Sequence, residues 1–512
     1  MKSAATILNY PDFCINHTNT FPRRTGLHFL ERVVLSLAVS LSLSLTTFSQ
    51  NESTDQPNFV LIFVDDQGYQ DLGCYGASDI KTPRIDRMAK EGILFTDFYG
   101  RTVCGPSRSA LMIGSYPLRV ATEQNRVDVH PYLHTKEITI AEVLKQVGYS
   151  TAAFGKWDLA GHTQDPARYT QMLLPTYQGF DTFFGTPSSN DNRVHLLHDD
   201  TLIEIFADMS QLTRRYTDEA IQFIKNNEAS PFFVYLAHTM PHIRLEAFKP
   251  LAGKSEHGIY EDIIEEIDWN VGRILDALNK EGLDQSTYVI YTSDNGPWYL
   301  GRSRGHLERA IGPDAEEHGG LAHPLRGAKT SVWEGGLRVP FIARAPGRIP
   351  EDKFCHELAT TMDMLPTIAT LAGASTPTDR AIDGHDISEL LHGTLEANSP
   401  TEAFIYYQRT QVQAFRVGNW KLHIPREAEN KWGHYSKAED DIAIECLQLY
   451  NLEDDIGEST NRAREYPDIV AQLMGHVEWA RKDIGDYSRI GENARFFDPE
   501  PRRPDIKNGK RS

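Results

Sequence analysis

A cysteine stands at the predicted start of a helix in the segment Val103–Gly114, where a proline, a serine and an arginine precede an apolar run. Pro106 has a fixed φ angle and no N–H group, which suits the first turn of a helix, and the closing glycine is typical of a helix end. The pattern predicts a helix over 107–113 with Cys104 at its N-terminus, where backbone N–H groups and the helix dipole stabilise an anion. Arg108 lies one turn further on and can reach the same anion.

Polar side chains of defined chemistry follow four apolar runs, each of which is typical of a buried strand. These side chains are Asp65 and Asp66, Lys156, His242, and Asp294 with Asn295. Ligands gather at the carboxyl ends of parallel strands, so we expect the four groups to meet at one edge of a sheet. Three carboxylates and an amide oxygen suit Ca²⁺ or Mg²⁺, and without a cation such a cluster would be strongly unfavourable.

Helices and strands alternate up to about residue 400, which indicates an α/β fold with a large, mostly parallel sheet sandwiched by helices. The predicted strands cover 59–64, 92–99, 151–155, 232–237, 288–293 and 339–344, and the predicted helices cover 82–90, 140–147, 213–227, 260–280 and 361–371. After residue 400 the sequence predicts four short strands, at 404–407, 414–417, 420–424 and 448–452. One helix follows them, at about 468–482. This change predicts a smaller C-terminal subdomain with an antiparallel sheet and one helix.

The first 49 residues have the composition of an export signal. Three arginines precede the apolar run 33–45, and 47–49 offers small residues at the positions that a signal peptidase reads. The run is short and serine-rich for a transmembrane helix, so no stable membrane insertion is expected; an uncleaved anchor is the alternative. Export to a periplasm or to the medium follows. The predicted organisation is a signal peptide (1–49), a linker (50–57), a catalytic α/β domain (58–400), a C-terminal α+β subdomain (401–497) and a basic tail (498–512).

The charge balance limits the possible partners. The chain has 52 lysine and arginine residues against 71 aspartate and glutamate residues, a formal net charge of -19. Such an excess of negative charge argues against nucleic acid as a partner. An anionic substrate would need a local basic pocket to overcome the overall field. Five cysteines are too few for a disulfide scaffold, so the hydrophobic core must stabilise the fold.

The spacing C-x-P-S-R-x-x-L-x-x-G that begins at Cys104 resembles the signature of the formylglycine-dependent sulfatases, arylsulfatase-like members of the alkaline phosphatase superfamily. The resemblance implies that a formylglycine-generating maturation enzyme oxidises this cysteine to an aldehyde (formylglycine, or 3-oxoalanine), whose hydrate attacks sulfur. Ile113 departs from the threonine or serine that is usual in the family. The C-x-P-S-R core is intact.

The groups that follow the predicted strands also resemble the family, over residues 57–350 and more loosely to 480. Asp65, Asp66, Asp294, Asn295 and residue 104 resemble the ligands of one calcium ion. The resemblance implies further roles, in which Arg108 steadies the aldehyde hydrate, Lys156 bridges hydrate and sulfate, His242 lies near the leaving oxygen, and Ser189 and Lys329 contact the sulfate.

One position departs from the family in a way that affects chemistry. The family usually reads Gly-Lys-Trp-His, in which the histidine contacts the hydrate and helps to expel sulfate, but this chain has Asp158 at the fourth place. A carboxylate can also act as a base, although it adds negative charge beside a sulfate. His162, four residues on, is a second candidate for the same role. The sequence leaves open whether Asp158, His162 or neither performs it.

The resemblance implies a sulfuric ester hydrolase, and the N-terminal segment predicts that it is exported. Export and the arginines and histidines near the site suggest a sulfated carbohydrate as the natural substrate, with aryl sulfates as artificial ones. The loop 301–323 carries arginines and histidines, Arg302 among them, that could contact such a sugar; a solvated loop is the alternative. Two other functions remain possible, a phosphatase or phosphonate monoester hydrolase of the same superfamily and a catalytically silent homologue that binds sulfated glycans. The complete C-x-P-S-R core favours sulfate hydrolysis.

Overall fold

The computed structural model describes residues 56–121, 132–163, 165, 168–190, 194–256, 258–298, 319–426, 443–486 and 489–497. The predicted signal peptide, nearly all of the predicted linker, Arg302 and the predicted basic tail lie outside these residues. No helix of the described part is both long enough and apolar enough to cross a membrane.

Ten strands form one mixed sheet, whose order is β11-β2-β10-β9-β1-β8-β4-β5-β6-β7. Its strands are β1 (Asn58–Val64), β2 (Ile93–Phe95), β4 (Ser150–Lys156), β5 (Thr182–Thr186), β6 (Leu196–His198), β7 (Thr201–Glu204), β8 (Phe232–Ala237), β9 (Thr287–Ser293), β10 (Phe341–Arg344) and β11 (Lys353–Cys355). The central strands β9, β1, β8, β4 and β5 are all parallel. Antiparallel pairing occurs towards both edges, at β10 and in the β6–β7 hairpin.

Helices cover both faces of this sheet. They are α1 (Pro83–Lys90), α2 (Cys104–Ile113), α3 (Ile140–Lys145), α4 (Leu212–Asn226), α5 (Ile259–Lys280), α6 (Glu334–Leu337), α7 (Met364–Leu371), α8 (Ser388–Leu391) and, in the C-terminal region, α9 (Pro467–Asp483). Strand β1 shows how each face of the sheet has its own hydrophobic core, because successive side chains of a strand point to opposite faces. Phe59, Leu61 and Phe63 pack with α2, α3 and α7, whereas the residues between them pack with α1, α4 and α5.

A second, four-stranded antiparallel sheet lies in the C-terminal region. It comprises β13 (Ala403–Gln408), β14 (Gln411–Val417), β15 (Trp420–His423) and β16 (Gln448–Asn451), and α9 packs against it through Leu473, Val477 and Ala480. Two small two-stranded sheets complete the list: β3 (Phe98–Tyr99) with β12 (Ala359–Thr360), and β17 (Gly485–Asp486) with β18 (Arg489–Ile490). The predicted fold class is therefore confirmed. The boundary near residue 400 stays a prediction.

Some local predictions differ from the structure. The strand expected over 92–99 is divided into β2 and β3, because the buried carboxylate of Asp97 between them pairs with Arg338 at 2.7 Å and Arg416 at 2.8 Å. The helix expected over 361–371 begins as a 3₁₀ turn at Thr361–Asp363. The short strands β5, β6 and β7 were not predicted, since three to five residues give too little periodicity to read.

Candidate active site

The parallel strands bring the predicted site residues to one edge of the sheet. Val64 at the end of β1 pairs in register with Ser293 at the end of β9, so Asp65 and Asp294 leave the sheet at the same level. The backbone N–H of Asp66 donates to Asp294 Oδ1 at 3.1 Å. Lys156 is the last residue of β4, another strand of the parallel set. The structure therefore brings these groups together at the carboxyl ends of the strands.

The serine of the C-x-P-S-R core positions α2 against the end of β9. Ser107 Oγ accepts a hydrogen bond from the Arg101 N–H at 2.8 Å and donates one to the carbonyl oxygen of Asp294. Gly100 allows the chain to approach this carbonyl, since a Cβ atom there would lie 2.2 Å from the Asp294 oxygen. The helix begins at Cys104 itself, slightly earlier than expected.

Cys104 lies at the centre of the cluster. Its Sγ atom is 3.1 Å from Asp65 Oδ1, 3.7 Å from Asp66 Oδ1 and 3.2 Å from Lys329 Nζ. Burial and the carboxylates of Asp294 and Asp65 raise the pKa of this thiol well above its usual value. The thiolate form is therefore disfavoured, and an unmodified Cys104 would be a weak nucleophile at neutral pH.

Three buried cations face the carboxylates. Lys156 Nζ is 2.6 Å from Asp65 Oδ2, Lys329 Nζ is 2.8 Å from Asp66 Oδ2, and Arg108 Nη2 is 3.0 Å from Asp294 Oδ2. Burial alone would raise the pKa of Asp65, but the charges of Lys156, His242 and Arg108 outweigh burial and lower it. Burial and the Asp65 charge instead raise the pKa of Asp294 to about 7. The cations therefore do not balance all of the acids.

The charge and the donor set of the cluster fit a divalent cation. Ligand atoms of Asp65, Asp66, Cys104 and His242 all lie within 4.8 Å of one another. Asn295 Oδ1 is buried and, within the described residues, has no hydrogen-bond partner, as expected for an oxygen that binds a metal. With Asp158 included, the cluster has four carboxylates and three cations, so it has an excess of one negative charge. A divalent cation would turn this into an excess of one positive charge, which suits the binding of a sulfate ester.

His242 lies beside the cluster. Trp298 and Asn190, neither of which was predicted as a site residue, hold it there. The His242 Nε2 atom is 3.7 Å from Asp66 Oδ2, and its Nδ1 atom contacts the carbonyl of Ile243. The ring of Trp298 packs edge-to-face at 5.1 Å between centroids, and Lys329 Nζ lies 5.0 Å from the centre of the same indole. Burial, and then the charge of Lys329, lower the pKa of His242.

Asn190 is the second missed residue. Its Nδ2 group donates to the carbonyl oxygens of Thr239 at 3.1 Å and His242 at 3.2 Å. The sequence offered a signal for both missed residues, because Asn190 adjoins Ser189 and Trp298 follows the motif residue Asn295 by three positions. Ser189 is buried, but within the described residues its side chain makes no hydrogen bond to the cluster, so its contact with sulfate stays a prediction.

Asp158 and His162 contact each other. Asp158 is only 2% exposed, its Oδ2 atom is 4.0 Å from Lys156 Nζ, and its Oδ1 atom is 3.3 Å from His162 Nδ1. The His162 side chain is 43% exposed and lies on the solvent side of this pair. The aspartate thus adjoins the lysine of the cluster, and the histidine contacts that aspartate.

The family is given by comparison with known proteins. A sulfatase family model matches residues 57–374, and a model of the C-terminal region of aryl-sulfatase matches residues 399–499. The chain belongs to the sulfatase family. The enzyme is accordingly a hydrolase of sulfate esters, and the cluster around Cys104 lies within the part of the chain that the family model covers.

Relatives of known activity and a solved structure agree with this placement. A steryl-sulfatase of Rattus norvegicus is 33% identical over 447 residues, which cover 72% of this chain and 75% of the relative. An N-acetylgalactosamine-6-sulfatase of Canis lupus familiaris is 34% identical over 397 residues, 72% of each chain. The crystal structure of Ps i-CgsB in complex with k-i-k-neocarrahexaose matches with a TM-score of 0.66 and 25% identity, over 87% of this chain and 95% of that one.

Proposed function

We propose that this sulfatase acts through formylglycine made from Cys104, with the help of one bound Ca²⁺ ion. The convergence of Asp65, Asp66 and Lys329 on the Cys104 sulfur is the observation that carries the proposal. The thiol itself is a weak nucleophile there, because burial and acidic neighbours raise its pKa. A maturation enzyme that oxidises the cysteine removes this obstacle, since formylglycine supplies an oxygen nucleophile for attack on sulfur.

The basic side chains of the cluster bind the sulfate group. Lys156 bonds to Asp65 and Lys329 bonds to Asp66, and both aspartates lie close to the Cys104 sulfur. Each can turn one N–H towards a sulfate oxygen while it keeps its carboxylate partner, because an ammonium group has three donors. Arg108 is held between the Lys156 carbonyl and Asp294, so its guanidinium stabilises negative charge at residue 104 without changing position.

The acidic side chains would hold the calcium ion. Asp65, Asp66, Asp294, Asn295 and residue 104 provide the oxygen-rich ligand set, and the ion would neutralise carboxylates that otherwise repel the substrate. Asp294 supports this assignment, because the raised pKa of its carboxyl reflects burial and the Asp65 charge with too little positive charge nearby. The unsatisfied oxygen of Asn295 supports it independently.

We assign proton transfer to two residues that lie near the cluster, His242 and Asp158. His242 has its Nε2 atom near Asp66 and donates a proton to the departing alcohol. Its lowered pKa makes its protonated form a stronger acid but a less populated one at neutral pH. Asp158, buried beside Lys156, acts as the base that takes a proton from residue 104, so that sulfate leaves and the aldehyde forms again. His162 then passes this proton to solvent.

We infer a sulfated carbohydrate as the natural substrate and export as the location. The relative named N-acetylgalactosamine-6-sulfatase and the similar structure in complex with k-i-k-neocarrahexaose support the first inference, whereas the steryl-sulfatase relative favours a different alcohol. The arginines and the apolar run within residues 1–49 support the second. Comparing kcat/KM for sulfated sugars, a steryl sulfate, an aryl sulfate and an aryl phosphate distinguishes these substrates, including the phosphatase alternative.

Mass spectrometry of the tryptic peptide 102–108 tests the central proposal. We expect an aldehyde at residue 104 when the chain is produced with a maturation enzyme, and turnover of an aryl sulfate in proportion to the aldehyde fraction. Cys104→Ala should abolish turnover, whereas Cys355→Ala, at a buried cysteine of β11, should leave it unchanged. Full activity with an unmodified thiol at residue 104 would falsify the proposal.

A further inference from the structure

Two exposed apolar side chains directly follow β7, which ends the strand order of the large sheet. They are Ile205 and Phe206, and these residues are 58% and 52% exposed. Ile203, within β7, is 48% exposed and extends the same apolar surface. Exposed apolar side chains that adjoin one another commonly mark a binding surface.

The register of the strands places this pair level with the catalytic cluster. Lys156 at the end of β4 pairs with Thr186 in β5. The antiparallel pairing of β5 with β6 brings Thr186 level with Leu196, which pairs with Glu204 at the end of β7. Neighbouring strands are about 4.8 Å apart, so three spacings put the backbone of Glu204 roughly 14 Å from that of Lys156. The residues after Glu204 therefore lie at the same edge of the sheet as the active site.

A β-bulge occurs at this edge. The hydrogen bonding between β6 and β7 continues beyond the two strands, since the N–H of Ala207 donates to the carbonyl of Val194 at 2.9 Å. Ile205 and Phe206 therefore lie opposite the single residue His195, which is the arrangement of a bulge. Bulges beside active sites commonly redirect a side chain.

The backbone of Phe206 is strained. Its φ angle is 60°, in the left-handed region that glycine and asparagine favour, so a bulky side chain adopts it at a cost. Strain of this kind persists where the surrounding structure fixes it, and it is concentrated at sites that bind ligands. The bulge and the strain together indicate a side chain that is kept in place for a function.

His195 supports the Phe206 ring and adds polar atoms beside it. The two rings are 5.3 Å apart between centroids, and His195 is only 3% exposed. Within the described residues, neither ring nitrogen of His195 has a hydrogen-bond partner. A buried polar group without a partner is costly, and a ligand hydroxyl that reaches this ring would remove the cost.

We propose that Phe206 and His195 form a distal subsite for the sugar chain of a sulfated oligosaccharide, an inference that rests on the proposed carbohydrate substrate. The aromatic ring packs against the apolar face of a sugar, and the histidine exchanges hydrogen bonds with its hydroxyl groups. A steroid body would suit the apolar surface equally well, but it has few hydroxyl groups for His195. The row of roughly 14 Å from Lys156 to Glu204 is longer than one sugar ring, so the subsite favours an oligosaccharide.

The dependence of turnover on chain length tests the subsite. The substrates are disaccharides and hexasaccharides of carrageenan and of a 6-sulfated galactosaminoglycan, together with an aryl sulfate and a steryl sulfate. Phe206→Ala removes the ring, and Phe206→Gly removes it while suiting the left-handed backbone, so that the fold is kept. Phe354→Ala is the matched control, at a phenylalanine that is 61% exposed on β11, the opposite end of the strand order.

For the hexasaccharide that wild type cleaves best, we expect kcat/KM to exceed that of the matching disaccharide severalfold. Both substitutions at residue 206 should raise KM for this hexasaccharide roughly tenfold. They should leave its kcat and the turnover of the aryl sulfate unchanged, because the sulfate group stays bound in the same way. Phe354→Ala should match wild type on every substrate.

Three results would overturn the proposal. They are equal kcat/KM of wild type for hexasaccharide and disaccharide, equal hexasaccharide KM values in Phe206→Ala and Phe354→Ala, and a loss confined to the steryl sulfate, which would assign the apolar surface to a steroid body. Turnover of sulfated sugars without a preference for length would remove this subsite alone and leave the proposed carbohydrate substrate intact. Turnover of the aryl sulfate with no cleavage of any sulfated sugar would contradict both.

Discussion

The side chain of Gln408 donates a hydrogen bond to the carbonyl oxygen of Thr330, with 2.5 Å between Nε2 and the oxygen. Thr330 follows Lys329 in the chain, and its own N–H donates to the carbonyl of Thr102 at 2.9 Å, two residues before Cys104. Gln408 Oε1 in turn accepts from the Thr102 hydroxyl at 3.4 Å. One amide of the C-terminal sheet thus joins the segment that carries Cys104, the proposed nucleophile, to the segment that carries Lys329, the proposed sulfate-binding lysine.

The first prediction concerns this amide. Gln408→Glu replaces the donor with a carboxylate that repels the Thr330 carbonyl, so Lys329 should lose its alignment with residue 104. We expect kcat/KM for an aryl sulfate to fall roughly tenfold to a hundredfold, because small displacements of a positioning group have effects of this size. Gln413→Glu, at an equally buried glutamine of β14 that bonds to Gln411, is the matched control. Similar kcat/KM values for the two variants would contradict the assignment.

The second prediction separates Asp158 from His162. Asp158→Asn keeps the shape of the side chain but removes the base, so kcat should fall by about 10² to 10⁴. His162→Gln should reduce kcat less, since Asp158 lies 4.0 Å from Lys156 Nζ whereas the His162 side chain is 43% exposed. Single-turnover and steady-state rates on an aryl sulfate make the comparison. Unchanged turnover in Asp158→Asn would remove this residue from the mechanism, and a larger loss in His162→Gln would exchange their roles.

The third prediction concerns metal removal. Chelation should lower both activity and melting temperature, because Asp65, Asp66 and Asp294 would then repel one another. Calcium added at about 100 times its Kd should restore roughly 2.7 kcal/mol of stability. Asn295→Leu, which removes the unsatisfied oxygen, should weaken calcium binding measured by calorimetry. If neither the chelator nor added calcium changes the melting temperature, the protein does not contain the proposed site.

The sequence predicted the parts of the site that strands position. The apolar runs of β1 and β9 clearly indicate buried strands. Since both strands run in the same direction, the residues that follow them lie at the same edge of the sheet, so Asp65 and Asp294 could be placed together. The contact between Gln408 in β13 and Thr330 in a turn joins positions 78 residues apart, and no local pattern encodes it.

The fourth prediction concerns pH and stability away from the active site. Asp268 on α5 is 4% exposed, and its Oδ1 atom accepts from the N–H groups of Arg84 at 2.9 Å and Ile85 at 2.8 Å in the first turn of α1. Burial raises the pKa of this carboxyl to about 7, in spite of these two hydrogen bonds. In the unfolded chain an aspartate has a pKa of about 3.9.

The direction of the pH effect follows from these two values. Between about pH 4 and pH 7 the folded state keeps a proton on Asp268 that the unfolded state has lost, so this residue makes stability fall as pH rises. Asp268→Asn keeps an acceptor for both N–H groups and removes the titration. The difference in unfolding free energy between Asp268→Asn and wild type should therefore rise by roughly 1 to 2 kcal/mol from pH 5 to pH 7. Urea unfolding at several pH values measures it, with Asp276→Asn, at a side chain of the same helix that is 66% exposed, as the control. A constant difference across this range would mean that Asp268 is ionised in the folded enzyme throughout.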